Sequence, residues 1–116
     1  MAVKFICYSK CSTCKKAQTF LEDNKIEYTL QDIKTQNPTV QELADWVEKG
    51  VPVNKLFNTS GLLYREKNLK EKLPHMTQEE KLTLLATDGM LVKRPIAVKG
   101  NTVLVGFKPA QWEILK

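Results

Sequence analysis

Two thiols three residues apart, Cys11 and Cys14, stand in the stretch YSKCSTCKKAQTF with Lys10, Lys15 and Lys16 around them and Lys25 shortly after. A thiolate, not a thiol, is the nucleophile, and an ordinary cysteine is only a few per cent ionised near neutral pH. Cys11 falls where a helix should begin. Free backbone N–H groups and the positive end of the helix dipole favour an anion there. The same turn, with the hydroxyls of Ser12 and Thr13 and the charge of Lys15, is a candidate cradle for an oxyanion. Cys14 follows one helical turn later, close enough to attack an adduct on Cys11 and close a disulfide.

Other readings of the thiols stay open at this point. Two cysteines buried at a helix start need do no chemistry. Zinc would need four ligands, and the remaining candidates are Cys7, expected in the core, and the lone His75, expected in a loop, so no metal is expected. The Cys-x5-Arg phosphate loop is excluded, because the residues six places after Cys7, Cys11 and Cys14 are Thr13, Ala17 and Phe20. A second group with chemical potential is Arg94 in LVKRPIAV. Its planar fork pairs with oxyanions and stays charged, although an arginine there could equally be a surface residue beside the sheet. Pro95 can open a strand because it donates nothing to the ladder.

These side chains need elements to position them. VKFICY alternates Val3, Phe5 and Cys7 with Lys4, Ile6 and Tyr8, and reads as a strand buried on at least one face. A helix from about Ser12 carries Cys14, Ala17, Phe20 and Leu21 at helical spacing and stops at Asn24–Lys25. IEYTL reads as a second strand through Ile26, Tyr28 and Leu30. In NPTVQELADWVEKG, Pro38 suits a first turn and Thr39 with Glu42 a capping box; Val40, Leu43, Ala44 and Val47 form the apolar stripe, and Gly50 sits just past the end. MTQEEKLTLLATDG repeats the pattern with Thr77, Glu80 and a stop at Gly89. RPIAV and TVLVGF, joined at Lys99–Gly100–Asn101, read as a hairpin, and a short helix begins near Pro109. Trp46 and Trp112 fit helix stripes. The order is strand, helix, strand, helices, then strand, strand, helix. It gives a small α/β layer with a helical insertion and a right-handed crossover between the first two strands.

Bulk properties agree. A chain of 116 residues with 42% hydrophobic and 27% charged residues is one globular domain's worth. No apolar run is long enough to span a bilayer, and the N-terminus lacks a signal-peptide core, so a cytoplasmic chain is expected. Three cysteines in such a chain argue against a disulfide framework. The net charge of +5 is concentrated at the two ends. No basic run with interleaved aromatics accompanies it, so direct nucleic-acid binding is not expected.

Taken jointly, CSTCKKA after a first strand, LFNTSG and YRE in the insertion, DGMLVKRPIAV and VGFKPAQW resemble the ArsC/Spx family of thioredoxin-like proteins over essentially the whole chain. The resemblance implies an α/β fold with a thioredoxin/glutaredoxin-like mixed sheet and an inserted helical subdomain. It implies a single domain over 1–116, with the core at 1–33 and 90–116 and the insertion at 34–89. It also implies that Pro95 is cis and faces the thiol. In the family's glutaredoxin-coupled arsenate reductases, a cysteine at the position of Cys11 attacks arsenate, glutathione attacks the adduct, and glutaredoxin restores the thiol. Three arginines surround the oxyanion there. Arg94 matches one, whereas Asn58 and Lys108 stand near the other two, Lys108 keeping charge without the fork. Cys14 resembles instead the CxxC of the Spx regulators, which bind the C-terminal domain of the RNA polymerase α subunit and use the pair as a redox switch.

The chain is therefore expected to be a thiol-dependent oxidoreductase with Cys11 as nucleophile, Cys14 as resolving thiol and Arg94 as oxyanion stabiliser. Ser12, Thr13, Lys15, Pro95 and Lys108 are expected around a small oxyanion or disulfide substrate. No bound cofactor or metal is expected, and glutathione with glutaredoxin, or thioredoxin, would be the external reductant of a monomeric protein. The alternatives are a Spx-like redox regulator that binds the RNA polymerase α subunit, and a general thiol–disulfide protein without arsenate activity.

Overall fold

The computed structural model describes residues 2–116. Contacts divide them into two units, one made of the chain up to Asp32 together with Arg94–Lys116, the other of Ile33–Lys93.

The first unit is built on β1 (Val3–Cys7), which pairs in parallel with β2 (Tyr28–Asp32) and antiparallel with β3 (Ile96–Lys99). β3 continues through a tight turn into β4 (Thr102–Val105), giving a four-stranded mixed sheet ordered β2-β1-β3-β4. Lys99 pairs with Thr102, and Gly100 takes the left-handed backbone (φ +59°) that the turn between them needs. As a central strand, β1 is covered on both faces: Val3, Phe5, Ile6 and Cys7 are all buried. That is why its alternation is weak in the sequence.

α1 (Ser12–Asp23) lays Cys14, Ala17 and Leu21 on the sheet, and Asn24 ends it. A last short helix, α6 (Pro109–Trp112), brings in Trp112, which is fully buried. Its indole N–H donates to the Gly106 carbonyl at 3.0 Å, so the polar edge is satisfied inside the core. The rings of Phe5, Phe20 and Phe107 meet Trp112 edge-on at 5.1–6.5 Å. Each such pair contributes about 0.5–1.5 kcal/mol beyond burial. This aromatic cluster fixes the floor on which α1 rests.

β2 begins two residues later than the apolar pattern suggests, and Leu30 is 56% exposed. At a sheet edge the hydrogen-bond register with β1 sets the strand, running it on through Gln31 and Asp32, and the side chains of the outer row need not be covered.

The second unit contains α2 (Val40–Glu48), α3 (Leu62–Glu66), α4 (Leu69–Lys72) and α5 (Gln78–Leu85), with short 3-10 turns between them. Both capping boxes form: Thr39 with Glu42, and Thr77 with Glu80. Three details differ from the sequence expectation. Pro38 precedes the cap rather than opening the first turn, because Thr39 occupies the cap itself. The buried face of α2 is Leu43 and Trp46, while Val40 is 39% exposed; the cap fixes the helix phase and turns Val40 outward. Gly89 does not end α5, which stops at Leu85. It is buried instead, where an added Cβ would lie 1.8 Å from the Ile33 carbonyl oxygen, so close backbone approach is what requires glycine. His75 is exposed at the end of a 3-10 turn.

Candidate functional site

Cys11 is the N-cap residue of α1, with an extended backbone (φ −94°, ψ 120°) and no capping bond from its side chain. Its own N–H donates to the Tyr8 carbonyl at 3.0 Å, and its carbonyl accepts from Lys15 N at 3.2 Å. The backbone is thereby fixed while the sulfur, half-buried, stays uncommitted to the helix. The first turn holds no acidic residue. Ser12, Thr13 and Lys15 follow on the exposed side of that turn.

Cys14 lies one turn on and faces inward, 2% exposed. Its Sγ accepts a hydrogen bond from the Tyr8 backbone N–H at 3.3 Å. Cys14 is also in side-chain hydrogen-bond contact with both Cys7 and Cys11. The bond to Cys7, and then burial, push the Cys14 thiol far up. The same bond pulls Cys7 down. All three cysteines are free.

Sequence reasoning placed Cys7 in the core, and it is there, 7% exposed; it did not connect Cys7 with Cys14. The signal was available. Cys7 is the last residue of a strand that feeds directly into the turn before Cys11.

Arg94 is half-buried just ahead of β3, and its guanidinium carbon lies 5.4 Å from the centroid of the Tyr8 ring. Tyr8 therefore touches two candidate groups, Cys14 through its backbone and Arg94 through its ring. It carries no motif that would have marked it. The Arg94–Pro95 peptide bond is cis, and Pro95 is buried. Lys108 is the exposed N-cap residue of α6, and its carbonyl accepts from Gln111 and Trp112. Cys7, Tyr8, Cys11, Cys14 and Arg94 are thus linked by direct contacts, whereas Ser12, Thr13, Lys15 and Lys108 present their side chains to solvent.

The unit that holds the thiols carries nine basic and five acidic residues, a net +4 of the chain's +5. Among the described residues, no group of three or more His, Cys, Asp or Glu is arranged to hold a metal ion. No helix is long and apolar enough to cross a membrane. What remains is a thiol at a helix start, backed by a protonated buried thiol, with a cation nearby. That arrangement suits nucleophilic attack followed by disulfide closure.

A model of the ArsC family matches residues 7–115. The chain is 50% identical to the uncharacterized protein YusI of Bacillus subtilis, over 97% of each chain. It is 55% identical to an ArsC family related protein of Bacteroides fragilis whose crystal structure is superposable with a TM-score of 0.97, over 100% of this chain and 98% of that one. The regulatory protein MgsR of Bacillus subtilis is 28% identical, over 97% of this chain and 86% of MgsR. The four-stranded mixed sheet with its helices is accordingly the ArsC fold.

Proposed function

The chain belongs to the ArsC family, and from its thiols we propose that it is a thiol-dependent oxidoreductase of the arsenate-reductase type. Cys11 is the nucleophile, Cys14 the resolving thiol and Arg94 the group that steadies negative charge. The observation that carries this reading is the pairing of a half-exposed helix-cap sulfur with a buried thiol in hydrogen-bond contact behind it.

With a disulfide substrate, the Cys11 thiolate attacks one sulfur, forming a mixed disulfide and releasing the first thiolate. Cys14 then gives up its proton and attacks Cys11 Sγ. This closes the Cys11–Cys14 bond and expels the second thiolate, so two electrons have passed from protein to substrate. An external thiol reductant, glutathione with glutaredoxin or thioredoxin, restores the pair in a reducing cytoplasm. With an oxyanion, Arg94 supplies the fork, and the first-turn N–H groups with Ser12, Thr13 and Lys15 supply donors. Pro95 shapes the strand start beside Arg94, and Lys108 contributes charge.

A second reading, a redox-sensing regulator that binds the C-terminal domain of the RNA polymerase α subunit, is favoured by two observations. One is the likeness to MgsR. The other is that Asn58 and Lys108 stand near the positions at which, by the resemblance, the family's arsenate reductases carry arginines.

The deciding experiment measures reduction of oxidised glutathione, cystine and arsenate with the glutaredoxin and thioredoxin systems in turn. Wild type should turn over at least one of them, and Cys11→Ser should lose roughly two orders of magnitude or more. Equal rates for the two proteins overturn the enzyme reading, and a pull-down with the polymerase domain then tests the regulator.

A further inference from the structure

The third thiol is unused by the reaction above, yet it touches the resolving one. Cys7 closes β1, and the next backbone N–H, that of Tyr8, holds Cys14 Sγ at 3.3 Å. The strand end therefore pins the Cys14 sulfur beside Cys7, in the buried cluster against which Cys11 also packs. Cys14 is the middle member, in contact with a thiol on each side. A disulfide holds its sulfurs about 2.05 Å apart, so only a thiol that already neighbours Cys14 can form one without backbone movement.

We propose that Cys7 is a third redox-active thiol, which takes over the Cys14 sulfur from Cys11 and stores the oxidised state as a buried Cys7–Cys14 disulfide. The inference rests on the reading of Cys11 and Cys14 as a nucleophile and resolving pair. In the step, the Cys7 thiolate attacks Cys14 Sγ of the Cys11–Cys14 disulfide. The Cys7–Cys14 bond forms, the Cys11–Cys14 bond breaks, and its electron pair leaves on Cys11. The proton lost by Cys7 passes to solvent or to the departing sulfur. No net oxidation occurs, because the two electrons were already given up to the substrate. The leaving thiolate emerges at the start of α1, where the helix end favours it.

The consequence is a division of labour. The oxidising equivalent moves into the core, away from external reductants, while Cys11 returns to its reactive form.

Trypsin separates the alternatives, since cleavage after Lys4, Lys10 and Lys15 puts Cys7 in residues 5–10 and both other cysteines in residues 11–15. Wild-type protein is oxidised with one equivalent of diamide, quenched in acid with N-ethylmaleimide, digested and analysed by mass spectrometry. The expected product is peptide 5–10 disulfide-linked to peptide 11–15, with the maleimide on Cys11. Cys11→Ser, which lacks the disulfide that Cys7 attacks, should form far less of this link, and Cys7→Ala and Cys7→Val should both lose it while closing the bridge within peptide 11–15. The proposal is overturned if oxidised wild type carries only the internal 11–15 bridge with the maleimide on Cys7. The wild-type digest decides even where a Cys7 variant folds poorly. Failure of the nucleophile reading shows separately, as turnover that Cys11→Ser retains.

Discussion

The guanidinium of Arg94 stacks against the ring of Tyr8, 5.4 Å from its centroid, while the backbone of the same tyrosine donates to Cys14. One residue thus aligns the positive group and the buried thiol. A cation over a tyrosine face is worth about 0.5–1 kcal/mol at exposed sites and more when desolvated. It restrains a side chain that would otherwise sample many rotamers.

Arg94→Ala should therefore weaken the protection that arsenate or sulfate gives Cys11 against alkylation by about tenfold or more, the worth of one charge-assisted pair. Arg94→Lys should recover charge without the fork and regain only part of the protection. Tyr8→Leu should give a smaller loss. Competition curves at fixed ionic strength read all three, and an unchanged curve for Arg94→Ala removes Arg94 from the site.

Cys14→Ser should separate attack from resolution. With oxidised glutathione, this variant should accumulate one glutathione on Cys11, which wild type clears by closing its own disulfide. Intact-mass spectrometry over time reads the difference. A variant that clears the adduct as wild type does would show that another thiol resolves it.

The closing step should depend steeply on pH. The hydrogen bond to Cys7 and burial push the Cys14 thiol up, so it is protonated at neutral pH and must ionise to attack. Its thiolate fraction falls about tenfold for each unit of pH decrease, and the rate of clearing the mixed disulfide should fall with it between pH 8 and 6. The same shift bears on stability. A thiol that ionises later in the folded than in the unfolded state adds stability below the unfolded value of about 8.5, lost as pH rises above it. The melting temperature should decline above that pH, less steeply in Cys14→Ala, with the Cys7 thiol, pulled down by the same bond, offsetting part of the decline. A closing rate independent of pH contradicts the assignment.

Gly89→Ala should be severe although the residue is far in sequence from either thiol. Its Cβ would meet the Ile33 carbonyl oxygen at 1.8 Å, backbone that cannot swing aside. A loss of about 3 kcal/mol or more is expected from such overpacking, measured by urea denaturation. Gly50→Ala meets no atom within 4 Å and, with only its positive φ to strain, should cost less.

Much of this architecture was legible because local chemistry states it. The two capping boxes, the Gly100 turn and the Pro109 helix start each satisfy backbone groups within a few residues. The spacing of Cys11 and Cys14 likewise implies one sulfur at the helix cap and one a turn inward, which is how they lie. What the sequence hid is set by distant partners. The start of β2 follows its register with β1, the exposure of Val40 follows from the phase its cap imposes, and Gly89 answers to Ile33. The Arg94–Tyr8 stack joins residues at opposite ends of the chain, and no periodicity could announce it. Cys7 was visible as a core residue, but its contact with Cys14 depends on how α1 lies on the sheet.

The central claim is that the sulfur of Cys11 is made reactive by its place at the start of α1. The most direct measurement compares the rate at which iodoacetamide modifies Cys11 at pH 6.5 in the folded protein and in the same protein unfolded in urea, located by peptide mapping. A folded rate faster by about tenfold or more is predicted from the free backbone N–H groups of the helix start at which the sulfur sits. A folded rate equal to or below the unfolded one would contradict it.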